Sequence, residues 1–249
     1  MTVAGHDPAA SDASSDDDAL HPHGSFFGRR KGHKLRAHQT DLIEHLLPRL
    51  ALDIGGPRPS DPADIAGLFD PAADSVRLEI GFGGGEHLVA EARAFPNTGF
   101  IGCEPYVNGM AKILAQIETH KTGNIRLFAG DAAELLAWAP PRSLARIDLI
   151  HPDPWPKRRH WKRRFVQDLT VAAMARVLKP GGEFRFVCDI DDYCAWTLAH
   201  LSRAPEFAWT AERAADWKQP WEGYTMTRYG RKAERGGRRA AYLRFRGIG

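Results

Sequence analysis

From Val76 onward, short apolar runs alternate with amphipathic stretches. Val76-Arg77-Leu78-Glu79-Ile80 reads as a strand, and Gly99–Cys103, Asn124–Phe128, Ile147–His151 and Glu183–Cys188 read as four more. Helical spacing fills the gaps over Glu86–Ala94, Tyr106–His120, Asp131–Trp138, Phe165–Leu178 and Asp191–Ser202. Val107, Met110, Ile113, Leu114 and Ile117 share one side of the second of these helices. Phe165, Val166, Leu169, Val177 and Leu178 are expected to face inward from the fourth. The alternation predicts an α/β fold with a doubly wound, mostly parallel sheet. Phe207–Thr210 and Ala241–Phe245 are expected to form an antiparallel C-terminal edge around a long basic insertion.

Upstream the pattern differs. Leu42, Ile43, Leu46, Leu47 and Leu50 recur at helical spacing, and Pro48 should end or kink that helix. Ile54–Asp74, with four prolines and three glycines, reads as a long irregular connection. Ser25–Arg36 is a basic arm containing Phe26 and Phe27, and residues 1–24 are Ala/Ser/Asp-rich without apolar periodicity. The expected organisation is a disordered acidic tail (1–24), a basic arm, helix and loop (25–74), and a catalytic domain (75–249).

Composition narrows the class. Hydrophobic content of 43% and charged content of 26% are ordinary for a soluble globular protein. No apolar run of about 18 residues predicts a membrane span. No basic start followed by an apolar core marks a secretory signal. Three cysteines form neither a CxxC pair nor a zinc set, so no metal is expected and a reducing cytoplasm is. The net charge of +3 hides strong segregation. Residues 1–24 carry five Asp and no Lys or Arg, whereas Gly28–Arg36 carries five cations and no acid. Lys157–Arg164 adds six cations without an acid, and Arg228–Arg246 carries eight against Glu234. Such cationic blocks on an otherwise acidic body point to a directed polyanion surface.

Two stretches carry candidate chemistry. The strand ending at Ile80 runs into Gly81-Phe82-Gly83-Gly84-Gly85 and then a helix, the arrangement of a nucleotide-type site. Gly81 and Gly83 fit the first two positions of a dinucleotide fingerprint, but Glu86 stands at the third and would oppose a pyrophosphate. Glu79 also suits a cationic ligand. Glu104 ends the second strand, where a carboxylate holds ribose hydroxyls, and Asp131 ends the third, where it can accept from an adenine amine. Ribose, adenine and positive charge without phosphates describe S-adenosylmethionine. Bland roles remain open beside these: a salt bridge or N-cap for Glu79, an N-cap for Asp131, a simple turn at Glu104-Pro105. The second stretch is Pro152-Asp153-Pro154-Trp155-Pro156-Lys157. It leaves a strand as a stiff loop, presents a carboxylate and an indole, and runs into the cations to Arg164. A planar base on a polyanion would suit it.

Leu78-Glu79-Ile80-Gly81-Phe82-Gly83, Gly102-Cys103-Glu104, the Pro-Asp-Pro-Trp-Pro-Lys block, Arg159-His160 and Lys162-Arg163-Arg164 resemble the bacterial tRNA (guanine-N7)-methyltransferase family. Leu178-Lys179-Pro180-Gly181-Gly182 and Thr227-Arg228-Tyr229 extend the likeness, which covers roughly residues 75–246. It implies a Rossmann-like fold with S-adenosylmethionine held at Glu79, Glu104, Asp131 and Asp153, with Asp153 also catalytic. It further implies substrate contacts at Lys157, Asp189, Thr227, Arg228, Tyr229 and Gly230. The implied substrate is the guanine conventionally numbered 46 in the tRNA variable loop. Asp153 would accept from guanine N1–H and the exocyclic amine, Trp155 would stack on a base or pack in the core, and Lys157 to Arg164 would bind phosphates. Gly230 departs from the family pattern Thr-x-aromatic-Glu. Glu234 or Asp189 would then carry the missing carboxylate's burden, or Gly230 serves a turn with positive φ. Two other readings stay open: an exocyclic-amine nucleic-acid methyltransferase, and a catalytically silent RNA-binding protein.

Overall fold

A computed structural model describes residues 27–248, so the expected acidic tail lies outside the described residues. The strands are β1 (Ser75–Ile80), β2 (Thr98–Cys103), β3 (Ile125–Phe128), β4 (Leu144–Ile150), β5 (Leu178–Cys188), β6 (Phe207–Trp209) and β7 (Ala241–Gly247). They form one sheet in the order β3-β2-β1-β4-β5-β7-β6. β1 to β5 pair in parallel, and β7 runs antiparallel to both β5 and β6, as the periodicity and the two C-terminal apolar runs predict. The order reverses between β1 and β4, and ligand sites form outside the C-terminal strand ends at such a switch point.

The helices preceding the sheet are α1 (Ala37–His45), α2 (Leu47–Leu50) and α3 (Pro62–Ala66). The break between α1 and α2 falls beside Pro48, as expected. Contrary to the reading of Ile54–Asp74 as wholly irregular, α3 forms within it. Asp61 caps α3 by accepting from the Ala63 amide, and Pro62 pre-sets its first turn. This region packs into the fold. Leu42 and Leu50 join Met110, Ile113 and Leu114 in one core cluster, and Ile65 and Phe69 join Val76 and Leu78 in another.

The later helices are α4 (Glu86–Ala94), α5 (Val107–His120), α6 (Ala132–Trp138), α7 (Asp168–Val177), α8 (Asp191–Arg203), α9 (Ala215–Lys218) and α10 (Arg228–Arg235), with a 3-10 helix over Arg158–Arg163. α7 starts three residues later than its apolar pattern predicts. The Gln167 amide bonds Thr170 Oγ1 and begins the helix there. Val166 stays buried, but Leu169, in the first turn, is 60% exposed rather than inward.

One face of the sheet buries charge. Arg146 donates to Glu91 and, at 2.7 Å, to Asp148, while Arg77 reaches Glu91 at 2.9 Å. Burial disfavours the Arg146 charge, but its two carboxylate partners outweigh that and hold it more firmly protonated than usual. Alternation along Arg146-Ile147-Asp148-Leu149 sends the two charges to one face and the two apolar side chains to the other.

Candidate active site

A cavity of about 860 Å3 opens at the C-terminal ends of β1, β2, β4 and β5. That volume suits a cofactor together with part of a substrate. The glycine turn forms one wall. Gly81, Gly83 and Gly85 have φ of 69°, 59° and 82°, and a Cβ on Gly85 would lie 2.5 Å from Ile113. The turn therefore needs glycine both for backbone conformation and for close packing on α5.

Glu104 closes the base of that wall. Its carboxylate accepts from the Gly83 amide at 2.8 Å and the Tyr106 amide at 3.0 Å. Burial raises its pKa despite these bonds, and the nearby Asp153 charge adds to the rise. Asp131 accepts from the Ala133 amide at 2.9 Å, so it caps α6 and lines the cavity at once. Asp153 sits at the mouth with no hydrogen-bond partner among the described residues, and desolvation by the surrounding walls pushes its carboxyl upward. His151 and Trp155 flank it with φ of 50° and 41°, sparsely populated values for residues bearing a Cβ. The backbone thus bends sharply on both sides of the carboxylate.

Glu79 lies elsewhere. It does not line the cavity, and its buried carboxylate sits 2.7 Å from His87 Nδ1. Burial raises the Glu79 pKa against the pull of His87. For His87 the lowering by burial is outweighed by Glu79, so the ring is held protonated above its usual range. The salt-bridge alternative for Glu79 is the observed geometry.

The expected substrate segment splits. Arg228 and Tyr229 line the cavity: the guanidinium lies 4.6 Å from the Tyr229 ring centre, and a Cβ on Gly83 would be 3.2 Å from that ring. Thr227 is buried and caps α10, its hydroxyl accepting from the Gly230 amide at 3.2 Å. Gly230 is buried in the first helical turn without positive φ, so the turn explanation for this glycine is discarded. Lys157 is exposed and outside the cavity lining.

Asp189 lines the cavity within a chain of polar contacts that sequence reasoning missed. Its Oδ1 is 3.1 Å from His151 Nδ1 and its Oδ2 accepts from Arg238 Nε at 2.6 Å. Burial would raise the Asp189 pKa, but these two partners hold it below the usual carboxylate range. Burial lowers that of His151, against Asp189. The available signal was that His151 and Asp189 end adjacent parallel strands.

The cationic run also divides. Lys162 and Arg163 line the cavity with charged groups available to a ligand, but Arg164 does not serve phosphates. Its side chain is 0% exposed, bonded to Asp192 at 2.5 Å and to the Pro154 carbonyl at 3.0 Å. Its guanidinium lies 4.8–5.3 Å from the ring centres of Trp161, Tyr193 and Trp196. Arg164 fastens the proline loop to α8.

Strand-end acids around a glycine turn, on this sheet order, define a Rossmann-like methyltransferase. A family model described as "Putative methyltransferase" matches residues 73–243. The solved structure of the 16S rRNA methyltransferase KamB superposes with a TM-score of 0.55 at 17% identity, covering 77% of this chain and 96% of that one. An antibiotic-related methyltransferase gives a TM-score of 0.50 at 19% identity, covering 80% and 99%. At these identities the likeness concerns the fold alone. Two curated relatives are much nearer, both named tRNA (guanine-N(7)-)-methyltransferase. That of Nitrobacter hamburgensis is 74% identical over 99% of this chain and 97% of its own length. That of Bradyrhizobium diazoefficiens is 75% identical over 95% and 99%. The chain belongs to the tRNA (guanine-N7)-methyltransferase family.

Proposed function

We propose that this protein transfers the methyl group of S-adenosylmethionine to N7 of a guanine in tRNA, at position 46 of the variable loop, as an RNA-modifying enzyme of the bacterial cytoplasm. The observation that carries this reading is Asp153: a carboxylate with no protein partner among the described residues, standing in the same cavity as Glu104 and the glycine turn. Among the described residues no helix is long and apolar enough to cross a membrane, and no group of three metal-ligating side chains occurs.

The cavity residues fit the cofactor. Glu104 keeps acceptor capacity beyond its two amide bonds, which suits ribose hydroxyls, and Asp131 keeps one oxygen free for an adenine amine. No Cβ or neighbour crowds Gly81, so backbone there is open to a ligand. Glu86, whose carboxylate folds against Gly84, opposes a pyrophosphate. When bound, S-adenosylmethionine supplies an electrophilic methyl group. Glu79 acts at one remove, holding His87 and with it the end of β1 and the start of α4.

Guanine N7 carries a free lone pair, so no proton leaves the attacked atom and no general base is required. The protein's task is orientation. Asp153 accepts from guanine N1–H and the 2-amino group, a donor pair that adenine lacks. Arg228, Lys232, Lys162 and Arg238 ring the cavity with positive charge that suits the flanking phosphates. The sheet and helices from residue 75 onward carry this chemistry, and the segment before it supplies the basic arm. The experiment is incubation with labelled S-adenosylmethionine and unmodified tRNA, then nucleoside analysis. Label in 7-methylguanosine is expected. Label in an exocyclic-amine product, or none in RNA, would overturn the reading.

A further inference from the structure

Three side chains at the cavity rim take no part in the methyl-transfer step described above. Phe27, Trp155 and Arg163 all line the cavity, and the Arg163 guanidinium lies 5.2 Å from the Phe27 ring centre and 5.0 Å from that of Trp155. Arg163 forms no ion pair among the described residues, and its buried Nε finds no acceptor there. Planar guanidinium commonly stacks on aromatic faces, but a buried arginine donor without an acceptor is costly. Phe27 is 41% exposed, so this is an open contact.

The wall is built. The arm that carries Phe27 is tied to the start of α5: the Val107 amide donates to the Arg30 carbonyl at 3.0 Å, and Asn108 bonds the Gly32 amide at 2.8 Å and the His33 carbonyl at 2.7 Å. The arm approaches closely enough that a Cβ on Gly32 would lie 2.1 Å from the Tyr106 hydroxyl, which would have to move aside. Trp155 packs in a T-shaped contact with His160, ring centres 5.9 Å apart.

We propose that Phe27 and Trp155 are the two aromatic walls of a nucleobase slot, and that Arg163 fills it until tRNA binds. The inference rests on the guanine-methylation reading and names residues that position the base for it. Offset-stacked or edge-to-face rings sit with centroids about 4.5–7 Å apart, so a base in the guanidinium's place is within aromatic contact of both walls. The Asp153 carboxylate lines the same cavity, and the incoming tRNA brings phosphates for the displaced cation to pair with. Every base has a π-face, so the slot supplies affinity and orientation, and Asp153 supplies the choice of guanine.

The test uses the full-length protein and two readouts. In the first, tRNA carries thienoguanosine, a fluorescent guanine analogue that keeps N1–H and the 2-amino group, in place of the variable-loop guanine, and its emission is followed on binding. Stacking quenches that emission with the parent and with Phe27→Tyr, and the quench is largely lost with Phe27→Ala and Phe27→Leu. In the second, kcat/KM for unmodified tRNA falls about tenfold or more in Phe27→Ala and Phe27→Leu and recovers in Phe27→Tyr, while S-adenosylmethionine affinity stays within twofold. Leucine keeps the apolar packing but not the stack, so a merely structural role would show Phe27→Leu near the parent. Equal quench in all four proteins, or Phe27→Leu as active as the parent, overturns the proposal. The quench reports the slot whether or not a methyl group is transferred, so its failure is distinct from failure of the methylation reading.

Discussion

Replacing Arg164 by Ala should unfold the protein at lower temperature and disable the site, whereas Arg163→Ala should leave the melting temperature nearly unchanged. Truncation of Arg164 removes the Asp192 ion pair, the bond to the Pro154 carbonyl and contacts with three aromatic rings. Hydrogen bonds to a charged group contribute about 1.5–3 kcal/mol. Loss of the desolvated cation–π contacts adds roughly 0.5–2 kcal/mol. Asp192 is 52% exposed, so solvent screens it and it is not left as a buried unpaired charge. That discount brings the expected loss to about 2–4 kcal/mol, or about 5–15 °C in Tm for a domain of this size. Activity should fall further than stability, because the freed Pro154 carbonyl adjoins Asp153. Circular dichroism melts of the two variants, with methylation measured well below both midpoints, check this. A Tm for Arg164→Ala within 2 °C of the parent, a limit of about one kcal/mol or less, would refute the structural role assigned to it.

Asp153→Asn should keep the parent melting curve and lose methylation, because an amide presents donors to guanine donors; near-normal kcat would discard the contact. The pH profile of kcat/KM should show an acid limb above the ordinary aspartate range of about 3.9, since burial raises the Asp153 pKa and activity needs the ionised form. That limb should vanish or move in the residual activity of Asp153→Asn. Affinity for tRNA should fall steeply with salt, and Lys162→Ala should reduce the log–log slope by about 0.7–0.9, one phosphate's worth; an unchanged slope would remove Lys162 from the interface. Gly230→Glu should fold, with the flexible Met226 side chain giving way where a Cβ would come within 2.4 Å of its sulfur. A Cβ there lies 3.2 Å from His151 Nε2, so the new carboxylate should raise the His151 pKa, read by NMR titration of the ring; no shift would contradict that geometry.

The strand-end acids were legible because parallel strands separated by helices bring their C-terminal loops to one edge. Glu104, Asp131 and Asp153 follow from that topology alone. The side-chain partners of Glu79 and Arg164 were not. Glu79 meets His87 because one lies on a strand and the other on the following helix, a pairing that needs the turn geometry between them. In sequence, Arg164 is one more cation in an unbroken run; its partners Asp192, Tyr193 and Trp196 come from α8, and nothing local announces their approach. His151, Asp189 and Arg238 span two strand ends and the loop between α10 and β7. Leu169 was misread because the Gln167–Thr170 bond moved the helix start and with it the inward face. Sheet type and site location thus came from periodicity, while strand order and side-chain pairing depended on contacts between elements distant in the chain.

The most direct measurement exploits the product's own chemistry. Methylation at N7 places positive charge on the guanine ring and makes that nucleotide open to borohydride reduction, after which aniline cuts the chain. Unmodified tRNA treated with the protein and S-adenosylmethionine should give one cut, in the variable loop at position 46, and none when Asp153→Ala replaces the parent. An uncut tRNA that has nevertheless gained methyl groups, or a cut at another guanine, would contradict the account.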